Sequence, residues 1–73
     1  MLDTDGPVLY WGSAYAIAIT LIDQYPDIDP EDVGLQELAN LVEQLPGFSD
    51  DPELANERLL LDILVCWYEE LNN

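Results

Sequence analysis

Carboxylates dominate the side chains that could do chemistry in this sequence. They gather in two clusters, at positions 27–32 and 50–53, and each cluster contains an Asp-Pro pair. Carboxylate oxygens are hard ligands that suit iron, calcium, magnesium and manganese. The first chemistry to consider is therefore divalent metal binding, and its candidate ligands are Asp27, Asp29, Glu31, Asp50 and Asp51.

The residues around the first cluster predict that such metal binding is weak. An EF-hand calcium loop would start as this segment does, but it needs glycine where Asp32 stands and a bidentate glutamate where Leu38 stands. The chain has no histidine and one cysteine, which excludes the zinc-finger and cluster-scaffold ligand sets. We expect no tightly bound cofactor, and at most an open, carboxylate-only site that binds divalent cations weakly and with little selectivity for ferrous iron.

Helix capping is the structural alternative for the same carboxylates. Asp29 and Asp51 each precede a proline, as residues that start a helix often do, and anions at a helix N-terminus are stabilising by about 0.3–1 kcal/mol. Capping does not explain Glu69 and Glu70, because we expect them at the C-terminus of the last helix, where the helix dipole disfavours negative charge. Carboxylates at a position that costs stability indicate binding to a basic partner surface. Such a surface would neutralise their charge and speed association.

Catalysis has little support among these residues. Without histidine, no side chain is poised near neutral pH as a general base, and no nucleophile has a base at a recognisable spacing. The lone Cys66 lies between Val65 and Trp67, and we predict a buried core thiol with a raised pKa rather than a reactive sulphur acceptor. The sequence therefore indicates a binding protein and not an enzyme.

Charge and composition narrow the class of partner. Sixteen Asp and Glu residues face a single cation, Arg58, which gives a net charge of −15. Such a chain is repelled by nucleic-acid phosphates and anionic membranes, so its natural partners are basic protein surfaces or metal cations. Hydrophobic residues nonetheless make up 49% of the 73 residues, which favours one folded domain over acidic disorder.

Segments typical of secretion or membrane insertion are not expected. The first residues lack the basic start of a signal peptide, and a single cysteine excludes an intramolecular disulfide scaffold. The apolar runs 14–22 and 59–68 are too short to span a bilayer. We expect a cytoplasmic monomer that binds neither membranes nor nucleic acid.

Hydrophobic periodicity predicts an all-α fold, a small domain of three main helices. The first helix starts after Ser13 and ends before Pro26, because proline disfavours helical geometry in the residue that precedes it. A short turn starts at Pro30, and the second helix runs from about 35 to 45. The last helix covers roughly 53–71.

The apolar faces of these helices are expected to form one core. Residues 1–10 are interpreted as a flexible leader and residues 11–73 as a single helical domain, with Trp11 in its core. Tyr15 and Ile19 lie off the apolar stripe of the first helix and predict either an exposed sticky patch or packing against the leader. The last helix is predicted to be the centre of the core, through Leu60, Ile63, Leu64, Trp67 and Leu71.

Three blocks of residues between positions 11 and 70 occur at a characteristic spacing. They are Trp11 with Tyr25-Pro26-Asp27 and Asp29-Pro30, then Phe48 with Asp50-Asp51-Pro52, and finally Asn56-Glu57 followed by an apolar helix that holds Trp67 and Glu70. Together, and without a gap, these blocks resemble the IscX family of iron–sulphur cluster assembly proteins. The resemblance covers most of the chain.

The resemblance implies a small acidic helical domain with a modified winged-helix-like topology. Proteins of this family bind the cysteine desulfurase IscS through an acidic surface and bind iron weakly, so this chain is expected to dock on an IscS-like cysteine desulfurase. The residues expected to bind this partner are Asp23, Asp27, Asp29, Asp50, Asp51, Glu57, Glu69 and Glu70.

Three functional hypotheses stay open on the sequence alone. The leading one is an acidic adaptor that modulates sulphur transfer by the desulfurase or delivers iron to it. The second is a stand-alone iron carrier, which would bind ferrous iron saturably and more tightly than magnesium. The third is an acidic nucleic-acid mimic, which the charge density allows because duplex DNA carries one charge per about 1.7 Å.

Overall fold

The computed structural model describes residues 8–72 and confirms an all-α fold with three main helices. Within those residues no helix is both long enough and apolar enough to cross a membrane. Residues 1–7 of the predicted leader, and Asn73, lie outside the described residues. The elements in chain order are α1 (Ala14–Gln24), a first 3₁₀ turn (Pro30–Asp32), α2 (Leu35–Glu43), a second 3₁₀ turn (Pro52–Leu54) and α3 (Glu57–Leu71).

Two of the predicted capping residues do cap. One oxygen of Asp29 accepts a hydrogen bond from the Glu31 backbone N–H at 2.9 Å, and Asp51 accepts one from the Glu53 N–H at 2.9 Å. Each of these caps starts a 3₁₀ turn with proline at its first position. Ser13 occupies the N-cap position of α1 as predicted, but its side chain makes no capping hydrogen bond.

The last helix begins at Glu57 rather than near residue 53. The side chain of Asn56 accepts a hydrogen bond from the Leu59 N–H at 2.9 Å and so starts α3. Asp51 starts its own turn, and Ala55 and Asn56 adopt extended backbone between the two elements. Two capping residues close together thus divide what the apolar pattern predicted as one helix.

The packed domain includes Leu9, which was predicted as part of the leader. Leu9 is 1% exposed and pairs with Phe48 in a parallel bridge. Its N–H donates to the Gly47 carbonyl at 2.8 Å, and its carbonyl accepts from the Ser49 N–H at 3.0 Å. Gly47 has φ of 89°, which only glycine adopts readily. The predicted boundary at residue 11 is therefore corrected, because backbone pairing with a distant loop leaves no periodic pattern in the sequence.

α3 lies at the centre of the core, as predicted. Ile63 and Trp67 are fully buried, and Trp11 is 2% exposed, which confirms both tryptophans as core residues. Leu71 was predicted to share this face but is 43% exposed. It lies in the last turn of α3, and that helix is longer than its neighbour α1, about 22 Å against about 16 Å at 1.5 Å per residue.

α1 and α3 lie side by side and run in the same direction. Where the two helices begin, the Trp11 N–H donates to the Asp50 carboxylate at 3.0 Å and the Trp11 indole donates to the Asp51 carbonyl at 2.8 Å. Where they end, Pro26 and Ile28, which follow α1, share one depression with residues 71 and 72. Both C-termini therefore lie at the same end of the domain.

Candidate functional site

Carboxylates from several parts of the chain collect at the end where α1 and α3 finish. Asp23 lies in the last turn of α1, and Glu69 and Glu70 lie in the last turn of α3. The loop after α1 and the first 3₁₀ turn supply the others. Five of the eight predicted partner-binding residues thus share one end of the domain. We define the acidic end as Asp23, Asp27, Asp29, Glu31, Glu69 and Glu70.

The other three predicted partner-binding residues, Asp50, Asp51 and Glu57, lie near the start of α3. That helix separates them from the acidic end by about 22 Å. Asp50 is half-buried, and its two oxygens accept hydrogen bonds from the Trp11 N–H at 3.0 Å and from the Asp51 N–H at 2.8 Å. These contacts give Asp50 a structural role, since it ties the segment before α1 to the segment before α3.

Helix dipoles add to the negative charge of the acidic end. A helix C-terminus carries the equivalent of about −0.5 charge, and two parallel helices place two such termini side by side here. Neither α1 nor α3 has a basic residue in its last turn. Arg58, the single Lys or Arg of the chain, lies in the first turn of α3, where it forms an exposed ion pair with Asp62 at 3.9 Å. Nothing in the described part of the chain therefore neutralises the acidic end.

A groove with an apolar floor borders the acidic end. It has a volume of about 350 Å³ and runs between the first 3₁₀ turn and one side of α3. We call it the Tyr68 groove, and its lining residues are Pro30, Glu31, Leu64, Val65, Tyr68 and Glu69. A second depression of about 320 Å³ shares Pro30, Glu31 and Tyr68 with it and is also lined by Asp27 and Asp29. The two depressions thus join an apolar floor to the carboxylates.

Tyr68 is the residue of this site that sequence reasoning missed. It is 43% exposed and Val65 is 53% exposed, although both look like ordinary members of an apolar helix. The available signal was a second apolar stripe, Leu61, Val65 and Tyr68, beside the core stripe at helical spacing. The nearby Glu31 carboxylate and, to a smaller extent, partial burial and the charge of Asp29 raise the pKa of Tyr68. The phenol therefore stays protonated at neutral pH.

Cys66 is half-buried rather than fully buried, which corrects its prediction as a core thiol. It flanks the core face of α3, because 66 is neither of the positions, 63 and 67, that point into the centre. Burial and the charges of Glu69, Asp62 and Glu70 raise its pKa, as expected from an acidic and apolar setting. The described side chains whose charge acts on this thiol are all carboxylates, which do not activate it.

The predicted metal ligands do not form one site. Asp27, Asp29 and Glu31 belong to the acidic end, whereas Asp50 and Asp51 lie beyond the opposite end of α3. Across residues 8–72, no three carboxylate or thiol groups converge in a way that could hold a metal ion. Part of the reason is the capping already described, which directs one oxygen of each capping aspartate at a backbone N–H. Weak iron binding stays a prediction.

The outer face of α1 carries a separate exposed patch. Tyr15 is 61% exposed and Ile19 is 39% exposed, and with Asp23 they line a shallow depression. This is the exposed patch that was one of two alternatives from the sequence. The other alternative, packing against the leader, involves residues outside those that the structure describes.

Sequence comparisons connect this arrangement with known proteins. The profile of a family described as iron–sulphur cluster assembly matches residues 9–72. An uncharacterized protein of Pseudomonas aeruginosa is 40% identical over 62 residues, which cover 85% of this chain and 94% of that protein. The matched region begins at Leu9, the first buried residue of those that the structure describes, and spans both ends of the domain.

Proposed function

Because this chain belongs to the IscX family of iron–sulphur cluster assembly proteins, we propose that it is an acidic adaptor that docks on a cysteine desulfurase and modulates sulphur transfer. It acts by binding rather than by catalysis, as a monomer in the cytoplasm. The observation that carries this proposal is the acidic end. Its six carboxylates have no neutralising side chain among the described residues, and two helix C-termini reinforce their field.

A basic groove on the desulfurase would supply the missing positive charge. Negative charge at a helix C-terminus destabilises an isolated domain, and a cationic partner turns that cost into attraction. Steering by opposite charges also raises association rates and makes binding fall with salt concentration. The acidic end suits this role better than the carboxylates near the start of α3, because Asp50 and Asp51 already accept hydrogen bonds within the domain.

Iron has a secondary part in this proposal. Asp27, Asp29 and Glu31 line one depression and would attract a divalent cation mainly through their charge. Such binding is expected to be weak and to select little between ferrous iron and magnesium. A ferrous titration that is saturable and clearly tighter than the magnesium titration would instead favour the metal-carrier alternative.

Calorimetric titration of this protein into its cognate cysteine desulfurase, at low and at physiological salt, tests the adaptor function. We expect micromolar or tighter binding that weakens steeply with salt. The double charge reversal Asp27→Lys with Glu69→Lys should weaken binding at least about tenfold, since rim charges set both steering and register. Neither side chain accepts a hydrogen bond among the described residues, and lysine near a helix C-terminus is stabilising, so the variant should fold.

The matched control is the double reversal of Glu37 and Glu43 to lysine. It changes the net charge equally, but both residues are exposed on α2, which packs near the start of α3 rather than its end. We expect the control to lower the affinity far less. Equal losses in the two double variants would mean that only net charge matters, and absence of wild-type binding at both salt concentrations would refute the adaptor function.

A further inference from the structure

We propose that the Tyr68 groove binds a partner segment in which an aliphatic side chain is flanked by arginine or lysine. This inference rests on the proposed docking function and specifies which part of a basic partner the domain recognises. It adds an apolar anchor to an interface that charge alone would leave unspecific.

The floor of the groove is the first reason. Val65 and Tyr68, one helical turn apart on α3, keep 53% and 43% of their surface exposed, and Leu64 and Pro30 add apolar atoms to the lining of the same groove. The volume, about 350 Å³, lies within the range of about 300–1,000 Å³ that is usual for clefts that bind ligands. An aliphatic side chain inserted here would bury apolar surface that the domain itself leaves in water.

The rim of the groove is the second reason. Glu31 of the 3₁₀ turn and Glu69 of α3 both line the groove, so each of the two elements that form it contributes a carboxylate beside the apolar residues. Asp27 and Asp29 extend the negative charge into the adjoining depression. Arginine or lysine on both sides of an inserted aliphatic side chain would match this order of charge, apolar floor and charge.

Charge also decides between kinds of occupant. A second copy of this chain carries the same net charge of −15, so pairing two acidic ends would be strongly repulsive. Anionic membranes are repelled for the same reason. The occupant is therefore cationic, and the protonated phenol of Tyr68 can stack on an arginine guanidinium at the edge of the groove.

The test uses two amidated peptides and ¹⁵N-labelled protein. One peptide has a leucine between two pairs of arginines, and the matched peptide has alanine in place of leucine. NMR titration should show the leucine peptide binding at least about fivefold more tightly, with the largest shifts at residues 64–69, because truncating a central apolar anchor costs more than about 1 kcal/mol. Tyr68→Ser should abolish this preference, and Tyr15→Ser is the matched control, since Tyr15 is exposed on α1.

Circular dichroism establishes that each variant is folded, and Val65→Ser provides a second variant on the floor of the groove. Equal affinities of the two peptides for the wild type would overturn the proposal, because charge alone would then account for binding. So would a preference for leucine that survives Tyr68→Ser and Val65→Ser. Desulfurase docking that depends on Asp27 and Glu69 without any leucine preference would leave the adaptor function standing and remove the groove. A clear preference that Tyr68→Ser abolishes, with no desulfurase binding, would support the groove and reject the desulfurase as partner.

Discussion

Asp50 offers the sharpest test of how carboxylates are used in this domain. Its two oxygens accept hydrogen bonds from the N–H groups of Trp11 and Asp51, at 3.0 and 2.8 Å. Asp50→Ala removes both bonds. The segment before α1, whose Leu9 and Trp11 side chains lie in the core, is then held less firmly. We therefore expect loss of stability, although removing one negative charge from a domain with a net charge of −15 also relieves some repulsion.

The size of the effect follows from the two contacts. A hydrogen bond to a charged group contributes about 1.5–3 kcal/mol when well buried, and the half-exposure of Asp50 reduces this to about 1 kcal/mol for each bond. Asp50→Ala should thus cost about 2 kcal/mol, and Asp50→Asn, which keeps one carbonyl oxygen, about half of that. A domain of this length has a free energy of unfolding of only about 4–11 kcal/mol, so the loss should be plain.

Urea unfolding followed by tryptophan fluorescence measures this cost, because Trp11 and Trp67 are both buried. With a slope of about 1 kcal/mol/M, the midpoint of Asp50→Ala should fall by about 2 M. The control is Asp27→Ala, an exposed aspartate whose side chain accepts no hydrogen bond among the described residues, which should change stability by less than about 0.5 kcal/mol. If the midpoints of the two variants agree within error, the structural role assigned to Asp50 is wrong.

Two further predictions concern Cys66 and the tryptophans. Burial and nearby carboxylates raise the pKa of Cys66, so the folded protein holds the thiol proton more strongly than the unfolded protein does. The resulting stabilisation of the fold is fully present below the pKa of the unfolded thiol. It is lost as the pH rises through the pKa of the folded thiol. The pH midpoint of iodoacetamide labelling should be higher in the native than in the urea-unfolded protein, and equal midpoints would contradict this. The two indoles differ in their polar atom: the Trp11 Nε1 donates to the Asp51 carbonyl at 2.8 Å, whereas the buried Trp67 Nε1 has no hydrogen-bond partner within residues 8–72. Both substitutions lose the same ring volume, but Trp11→Phe also loses a hydrogen bond, so it should lower the free energy of unfolding in urea by about 1 kcal/mol more than Trp67→Phe does. A larger loss of stability for Trp67→Phe would refute the comparison.

Local rules predicted the helical framework well. The periodic apolar residues of α3 predicted Leu60, Ile63 and Trp67 as core, and the structure buries all three. The Asp-Pro pairs predicted two helical starts, and both aspartates cap as expected. Periodicity and capping depend on neighbours along the chain, which is why these features can be predicted from one sequence.

The features that the sequence did not predict depend on contacts between distant segments. Leu9 is held by Gly47 and Ser49, and nothing in its own neighbourhood marks it as a core residue. The Tyr68 groove exists because the first 3₁₀ turn packs beside α3, and the parallel course of α1 and α3 follows from the contacts of Trp11. The eight acidic candidates could be proposed from the family resemblance together with the charge pattern, but their division between two ends required the fold.

That division explains how one domain can carry so much negative charge and still fold. Near the start of α3, carboxylates meet backbone N–H groups and the positive ends of helix dipoles, so Asp50, Asp51 and Glu57 stabilise the structure that holds them. At the acidic end the α1 and α3 dipoles have the opposite sign, and only Asp29, which caps the first 3₁₀ turn, accepts a backbone hydrogen bond there among the described residues. Stability would improve if those residues were neutral, so their presence is best explained by what they bind. A variant that neutralises Asp23, Asp27, Glu69 and Glu70 should therefore be more stable than the wild type and bind the desulfurase more weakly. Neutralising the carboxylates near the start of α3 should not raise stability in this way.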